Sequence, residues 1–219
     1  MYLTETAQRY LRATGPEHDE IQADMAGVAD EEGFPIIGPD AGGLLRTLAA
    51  MTRATSVFEF GSGFGYSAYW FLQGMPADGE IVLTEFDTDE LTMAEEFFKR
   101  AGLTERAHFE DGDAMETINE YDGPFDVVLI DHQKERYADA FNAVREDLRV
   151  GSVVVADNLM RGPIDIEDLL AYFESGEALP DNKSMHGVAD YVETVRATSG
   201  FQTTVVPVGS GLSLTVRVE

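Results

Sequence analysis

The chain has 219 residues, of which 44% are hydrophobic, and this composition is typical of a globular protein with one substantial core. Its 15 basic and 41 acidic residues give a net charge of −26, which argues against nucleic acid or an anionic membrane as a partner. Cysteine is absent, so disulfides, thiolate metal sites and a cysteine nucleophile are excluded.

No stretch approaches the roughly 18 apolar residues of a membrane span, and the first residues lack the basic start and apolar run of a signal peptide. We therefore expect a soluble, cytoplasmic protein. The acidic residues are spread along the chain rather than clustered. This pattern favours a solvated, halophilic surface over an acidic recognition face, because salt at 1 M screens charge repulsion beyond about 3 Å.

The N-terminal part of the sequence is helical in pattern. Residues 4–31 carry apolar side chains at helical spacing, with a break at Gly15-Pro16. A loop rich in helix breakers is predicted for residues 33–40. Asp40, the last residue of this loop, is predicted to cap a helix that runs through Met51.

Short apolar runs and amphipathic stretches alternate through the rest of the chain. This alternation predicts an α/β fold with a doubly wound, mostly parallel sheet covered by helices on both faces. Two C-terminal runs joined by Gly209-Ser210-Gly211 predict an antiparallel hairpin at one edge. The predicted strands are residues 57–60, 81–86, 107–110, 125–130, 150–156, 203–208 and 212–218. The predicted helices are residues 66–73, 88–100, 114–120 and 138–148, with a further helical region at 161–199.

A glycine-rich turn, formed by Gly61, Gly63 and Gly65, follows the first predicted strand. Glycine lets the backbone pass close to a ligand, and amides at the start of the next helix can bind a carboxylate or phosphate. In a doubly wound sheet, ligands bind at the carboxyl ends of the strands, where this turn lies. The turn alone also fits a purely geometric need for glycine.

Two acidic residues near the turn favour a nucleotide-type ligand. Glu85 ends the second predicted strand, where an acid can accept hydrogen bonds from both ribose hydroxyls. Glu59 lies in an otherwise apolar strand and needs a partner to be tolerated there. A dinucleotide fingerprint requires glycine at the position of Tyr66. S-adenosylmethionine (SAM) is therefore favoured over nicotinamide or flavin, with Asp113 and Ala114 placed to meet its adenine.

Two further acidic residues follow later strands and suggest a metal site. Asp131, Asp157 and Asn158 supply three hard oxygen ligands that suit Mg²⁺. Lys134 is placed as a general base, since a nearby dication and desolvation destabilise its ammonium form. The alternative is that each Asp only caps the segment after it. His132 is expected to stack or hydrogen-bond beside the adenosine.

Together these motifs resemble the class I SAM-dependent methyltransferases, and within them the Mg²⁺-dependent, catechol O-methyltransferase-like family. The motifs that carry the likeness are residues 59–67, Glu85, residues 131–137 and residues 156–158. The resemblance extends from about residue 36 to residue 218. It implies a Rossmann-like, seven-stranded sheet that ends in a reversed strand. It also implies a single methyltransferase domain (1–219) made of an N-terminal helical lid (1–52) and a cofactor-binding, catalytic core (53–219).

The resemblance implies a role for each candidate residue. The implied metal ligands are Asp131, Asp157 and Asn158. The implied catalytic residues are Asp131 and Lys134, of which Lys134 takes the substrate proton. Ser67 is expected to contact the methionine carboxylate, Glu59 the amino group and Glu85 the ribose. The full set of implied cofactor contacts is Ile37, which lies beside the sulfonium, with Glu59, Gly61, Gly63, Gly65, Ser67, Glu85, Asp113, Ala114, Asp131 and His132.

The predicted activity is methyl transfer from SAM to a hydroxyl of a small, metal-chelating molecule, such as a phenolic vicinal diol. One alternative is a metal-independent methyltransferase that acts on another small-molecule nucleophile. Another is a non-catalytic module that only binds SAM, although such a module has no use for a base at Lys134. Relatives in this family are often dimers, so a homodimer is compatible with the resemblance.

The segment after Asn158 departs from the family. Many relatives have an aromatic gate there, whereas this chain continues with Leu159-Met160-Arg161-Gly162. Arg161 near the mouth of the site would favour an acidic phenol as the substrate.

Overall fold

The computed structural model describes residues 3–219, so Met1 and Tyr2 of the predicted lid segment lie outside it. The helices are α1 (Glu5–Thr14), α2 (Glu20–Glu32), α3 (Gly38–Thr52), α4 (Tyr66–Gly74), α5 (Thr88–Ala101), α6 (Ala114–Thr117), α7 (Tyr137–Val144), α8 (Ile166–Ser175) and α9 (Lys183–Ala197). The strands are β1 (Ser56–Phe60), β2 (Glu80–Glu85), β3 (Ala107–Asp111), β4 (Phe125–Ile130), β5 (Leu148–Ala156), β6 (Phe201–Val206) and β7 (Leu212–Arg217). None of the helices in this part of the chain is long and apolar enough to span a bilayer.

The seven strands form one sheet in the order β3-β2-β1-β4-β5-β7-β6. Strands β1 to β5 are parallel, and β7 runs antiparallel to both of its neighbours. The predicted doubly wound sheet with a C-terminal antiparallel hairpin is therefore confirmed. The chain moves outward from β1 to β3 and then restarts on the other side of β1 with β4. The connections diverge between β1 and β4, and this divergence places a ligand crevice at their carboxyl ends.

Helices cover both faces of the sheet because neighbouring residues of each strand point to opposite sides. Val57 and Val127 pack into a core shared with α2, α3, α4 and α5. Phe58 and Val128 pack into a second core shared with α7 and α9. Trp70 of α4, which we predicted to be a core residue, is fully buried in the first core.

Helix ends account for most differences between the prediction and the structure. Asp40 does not cap α3: the helix begins at Gly38, and Asp40 lies in its first turn. Pro39 at the start of the helix favours this earlier beginning, since its fixed φ suits a first turn that needs no amide donor. The predicted helix 138–148 ends at Val144, because Leu148 pairs with Phe125 and so belongs to β5.

The N-terminal segment is held against α4, the helix that follows the glycine-rich turn. The Asp19 side chain caps α2 by accepting a hydrogen bond from the Gln22 amide at 2.9 Å. The same carboxylate accepts hydrogen bonds from the Tyr69 hydroxyl at 2.9 Å and from Gln73 Nε2 at 3.0 Å. His18 Nε2 lies 2.6 Å from the Tyr66 hydroxyl. These contacts place the loop between α1 and α2 beside the strand tips.

Candidate active site

A cavity of about 930 Å³ opens at the carboxyl ends of the parallel strands. Its position is the one expected from the divergence between β1 and β4. The size suits a small molecule together with a nucleoside-type ligand. The predicted site residues in its wall are Ile37, Gly61, Gly63, Ser67, Glu85, Asp113, Ala114, Asp131, His132, Lys134, Asp157 and Asn158.

The glycine-rich turn forms the floor of this cavity. Gly61 has a φ of 81° and Gly63 a φ of 51°, and these backbone conformations are costly for residues with a Cβ. A Cβ on Gly61 would also lie 2.8 Å from the Asp131 carbonyl oxygen. The turn therefore packs directly against the tip of β4, and only glycine allows this close approach.

Glu85 is fixed by backbone amides at the tip of β2. Its Oε2 accepts a hydrogen bond from the Gly63 amide at 2.9 Å. Its Oε1 accepts hydrogen bonds from the Phe86 amide at 2.9 Å and the Asp87 amide at 3.2 Å. Oε1 thus uses both of its lone pairs, whereas Oε2 has a second lone pair that can still accept a hydrogen bond. Glu85 is thus held rigidly in the cavity wall with acceptor capacity left for a ligand.

Glu59 lies beneath the cavity wall rather than in it. The residue is fully buried in β1, and its Oε1 accepts a hydrogen bond from the Ser67 hydroxyl. Its Oε2 is buried with no hydrogen-bond partner. Burial raises the pKa of Glu59 to about 8, the Ser67 hydrogen bond opposes this rise, and the Glu85 charge adds to it. Glu59 is connected to the cavity only by its hydrogen bond with Ser67, which lines the wall.

Asp113 and Arg136 form an ion pair in the part of the cavity wall that follows β3. Asp113 accepts hydrogen bonds from Arg136 Nη1 at 2.7 and 2.9 Å and also caps α6 through the Met115 amide at 2.9 Å. The hydrogen bond from Arg136 is the main reason that the pKa of Asp113 is lowered. His132 is stacked on Tyr137, with ring centroids 5.7 Å apart and planes 7° from parallel. Burial lowers the pKa of His132 to about 4, so the ring is neutral near pH 7.

Asp131 and Asp157 come together at the tips of two paired strands. The register of β4 and β5 pairs Ile130 with Ala156, and the two aspartates are the next residues. Adjacent strands lie about 4.8 Å apart, so these side chains can share one small ligand. Burial, and then the charge of Asp157, raises the pKa of Asp131 well above its ordinary value. Burial also raises the pKa of Asp157 to about 6.

Asn158 and Lys134 complete this part of the wall. Asn158 has a φ of 59°, a left-handed conformation that asparagine tolerates better than most residues. Lys134 Nζ lies 3.4 Å from the Tyr137 hydroxyl and 5.3 Å from the centre of the Tyr137 ring. Its positive charge opposes the rise in pKa of both Asp131 and Asp157. Lys134 is therefore near the two carboxylates without being locked in an ion pair with either.

The donor set at these tips suits a hard cation. Within residues 3–219, no three His, Cys, Asp or Glu side chains cluster as a metal site. The predicted set is instead two carboxylates and one amide, from Asp131, Asp157 and Asn158. Oxygen donors of this kind fit Mg²⁺, whose remaining positions can be filled by water and substrate oxygens. Two neighbouring carboxylates shielded from solvent also need a positive charge to remain ionised. The residues therefore fit the metal that the sequence predicts.

The structure brings together twelve of the fourteen predicted site residues in one cavity wall. The two exceptions are Glu59, whose carboxylate accepts a hydrogen bond from Ser67, and Gly65, which precedes α4 as its N-cap with a φ of 82°. The wall also contains residues for which we predicted no role: Phe34, Tyr66, Gln133, Arg136 and Ser210 are among them. Phe34 and Ser210 come from loops far apart in sequence, so no local pattern could identify them. Arg136 lies within the motif of residues 131–137. Its ion pair with Asp113 could not be predicted, because the sequence does not show that the two residues are close.

Comparison with known proteins agrees with this geometry. Residues 30–218 match the profile of a family described as O-methyltransferase. A protein from Niastella koreensis named catechol O-methyltransferase is 33% identical over 153 residues, covering 67% of this chain and 69% of that protein. The structure of an O-methyltransferase from Bacillus cereus in complex with SAH has a TM-score of 0.83 at 22% identity, covering 97% of each chain.

A third similar protein is an O-methyltransferase from Streptomyces achromogenes involved in tomaymycin synthesis, whose structure is in complex with SAM. It has a TM-score of 0.84 at 23% identity, and the match covers 99% of this chain and all of that one. The two structural matches show that the fold is that of Rossmann-like methyltransferases. The family match covers most of the chain. It favours an enzyme over the alternative of a non-catalytic module that only binds SAM. The chain belongs to the O-methyltransferase family and is an SAM-dependent O-methyltransferase.

Proposed function

We propose that this enzyme methylates one hydroxyl of a catechol-like vicinal diol that chelates a metal ion. The observation that carries the proposal is the pairing of Asp131 with Asp157 at adjacent strand tips, next to Asn158 and inside the cavity. A donor set of this kind is suited to a cation that two neighbouring substrate oxygens complete. A relative named catechol O-methyltransferase supports the same substrate class.

Asp131, Asp157 and Asn158 would hold Mg²⁺ in this proposal. A bound Mg²⁺ lowers the pKa of a coordinated hydroxyl and orients its oxygen. Lys134 would take the hydroxyl proton on Nζ, because it lines the same cavity and lies close enough to Asp131 and Asp157 to act on their charges. The charge that Lys134 gains is stabilised by the same carboxylates.

The opposite half of the cavity would hold SAM. SAM supplies a methyl group on a positively charged sulfur, and attack by the substrate oxygen breaks the carbon–sulfur bond to leave S-adenosylhomocysteine (SAH). Glu85 is positioned by three backbone amides to accept hydrogen bonds from the ribose. Ser67 and the buried Glu59 would receive the methionine end, and Ile37 would lie beside the sulfur. Asp113, Ala114 and His132 would surround the adenine.

Metal dependence tests the proposal. Purified enzyme should methylate a simple catechol with SAM when Mg²⁺ is present, and EDTA should remove this activity until Mg²⁺ is restored. The measurement is the rate of SAH formation during a Mg²⁺ titration at fixed ionic strength. Phenol, which has one hydroxyl, is the matched control and should not be methylated. Full activity in EDTA would contradict the proposal and favour the metal-independent methyltransferase that the sequence left open.

We also propose that the enzyme works in a salt-rich cytoplasm, because its net charge of −26 is spread over the whole chain. Salt should stabilise the fold by screening repulsion between acidic residues. Raising KCl from low to molar concentration should raise the melting temperature by about 5 °C or more. A melting temperature that falls over this range would contradict the proposal. The assembly state, including a homodimer, stays a prediction.

A further inference from the structure

Three cationic side chains line the cavity, and their surroundings differ. Arg136 forms an ion pair with Asp113, so its charge is neutralised within the protein. Lys134 lies near Asp131 and Asp157 and offsets their charges. Within residues 3–219, Arg161 forms no ion pair with an acidic side chain. The guanidinium of Arg161 is therefore available to bind an anion from the cavity.

The backbone around Arg161 is held in place. The Leu159 amide donates to the Gly211 carbonyl at 3.0 Å, and the Met160 amide donates to the Ser210 carbonyl at 2.9 Å. Leu159 is 4% exposed and Ile164 is 5% exposed, so buried anchors flank the exposed arginine on both sides. The loop between β6 and β7 therefore fixes where Arg161 meets the cavity.

Arg161 also lies on the substrate side of the site. It follows Asn158 by three residues and shares the cavity wall with Asp157 and Asn158. A guanidinium has a planar fork of donors that matches a carboxylate and binds it through two hydrogen bonds. The overall negative charge of the protein repels free anions, so an anionic substrate needs a local cation at the entrance.

We propose that Arg161 determines specificity by binding a carboxylate carried by the diol substrate, so that catechol carboxylic acids are preferred over neutral or amine-bearing catechols. The inference rests on the proposed function, since it assumes that the diol occupies the site at Asp157 and Asn158. It adds the charge of the substrate, which the family match does not give.

Three catechols of similar size test the inference: 3,4-dihydroxybenzoate, 4-methylcatechol and 4-(aminomethyl)catechol. The native enzyme should have a kcat/KM about tenfold higher for the acid than for the neutral compound, and lowest for the amine. Arg161→Gln should bring the ratio of acid to neutral close to about one, mainly through a higher KM for the acid. Arg161→Lys should give an intermediate ratio, because lysine keeps the charge without the planar fork.

Arg196→Gln is the matched control, because Arg196 is exposed in the last turn of α9 and does not line the cavity. It should leave the ratio of acid to neutral unchanged. An equal ratio in the native enzyme and Arg161→Gln, or a preference for the neutral or amine compound, overturns the inference while the proposed function stands. If none of the three catechols is methylated with Mg²⁺ present, the proposed function itself fails.

Discussion

The two ends of the cavity are built differently. At the end formed by β1, β2 and β3, the chain satisfies most of its own polar groups: Glu85 binds three amides, and Asp113 binds Arg136. At the end formed by β4 and β5, the buried Asp157 and the half-buried Asp131 lie on neighbouring strand tips, and loss of solvent raises the pKa of both. Most polar groups of the first end thus have partners before a ligand binds, with the exception of one oxygen of Glu59. The second has an excess of negative charge that a cation would neutralise.

This difference indicates which end depends on its ligand for stability as well as for activity. A preorganised pocket holds its donors and acceptors in place before the ligand arrives, so its substitutions weaken affinity. Repulsion between two neighbouring carboxylates lowers the free energy of unfolding, and a bound metal raises it again. Substitutions at the β4 and β5 tips should therefore lower activity while they stabilise the metal-free fold, whereas substitution of Glu85 should weaken cofactor binding without stabilising the fold.

The largest expected effect comes from Asp157→Asn. The change keeps the side-chain shape and an oxygen that can accept from the Asn158 amide, but it removes one charge from the proposed metal site. The catalytic rate with Mg²⁺ should fall on the order of a thousandfold, because a metal contributes several kcal/mol of charge stabilisation. The melting temperature of the metal-free protein should rise, since the repulsion with Asp131 is gone. The rate of SAH formation and thermal melts in EDTA measure both effects.

Asp181→Asn is the control for this change, because Asp181 is exposed in the loop before α9. It should alter neither the rate nor the metal-free melting temperature. If Asp157→Asn kept its activity, or lost it together with its fold, the contrast between the two ends would be wrong.

A smaller effect is expected at the preorganised end from Glu85→Gln. The variant loses the charge that three amides and a ribose would share, and hydrogen bonds to charged groups contribute about 1.5–3 kcal/mol. The dissociation constant of SAH should rise about thirtyfold. The melting temperature without ligand should fall, because the glutamine NH2 group leaves at least one of the three backbone amides without its acceptor. Isothermal titration with SAH measures this constant. Glu80→Gln, at the exposed start of the same strand, should bind SAH as the native enzyme does.

The sequence was sufficient to predict most of the fold and to place several glycine and acidic residues at the strand tips that line the cavity. Alternating strands and helices specified the parallel sheet, and Gly61, Gly63 and Glu85 have local patterns with a direct physical meaning. Asp131 and Asp157 could be brought together only by assuming that their strands are neighbours, which the register of β4 and β5 confirms. Helix ends such as those at Gly38 and Val144 depend on tertiary packing, which sequence patterns do not contain.

The part of the cavity that we propose holds the substrate was the least predictable. Phe34 and Ser210 enter the cavity wall from the N-terminal segment and the C-terminal hairpin, and their positions depend on long-range packing. Arg161 was noticed in the sequence, but nothing in the sequence indicated that hydrogen bonds to the Ser210 and Gly211 carbonyls hold its loop. Loops of this kind vary among proteins that share a fold and determine which ligands bind. Their contacts therefore have to be read from a structure.

The most subtle test concerns Glu59, the acidic residue at the preorganised end that keeps a buried oxygen without a partner. Burial raises its pKa from 4.5 to about 8, so the folded protein holds this proton over a pH range in which the unfolded chain releases it. Raising the pH through that range therefore lowers the free energy of unfolding, by at most about 1.4 kcal/mol per pH unit. Glu59→Gln has no such proton to lose and keeps an oxygen that can accept from Ser67. Urea unfolding without ligand or metal, at about pH 6 and about pH 7.5, should show the variant gaining about 2 kcal/mol relative to the native protein. If the free energy of unfolding changed equally with pH in the variant and in the native protein, Glu59 would already be ionised in the folded protein. The preorganised end would then hold an uncompensated charge of its own.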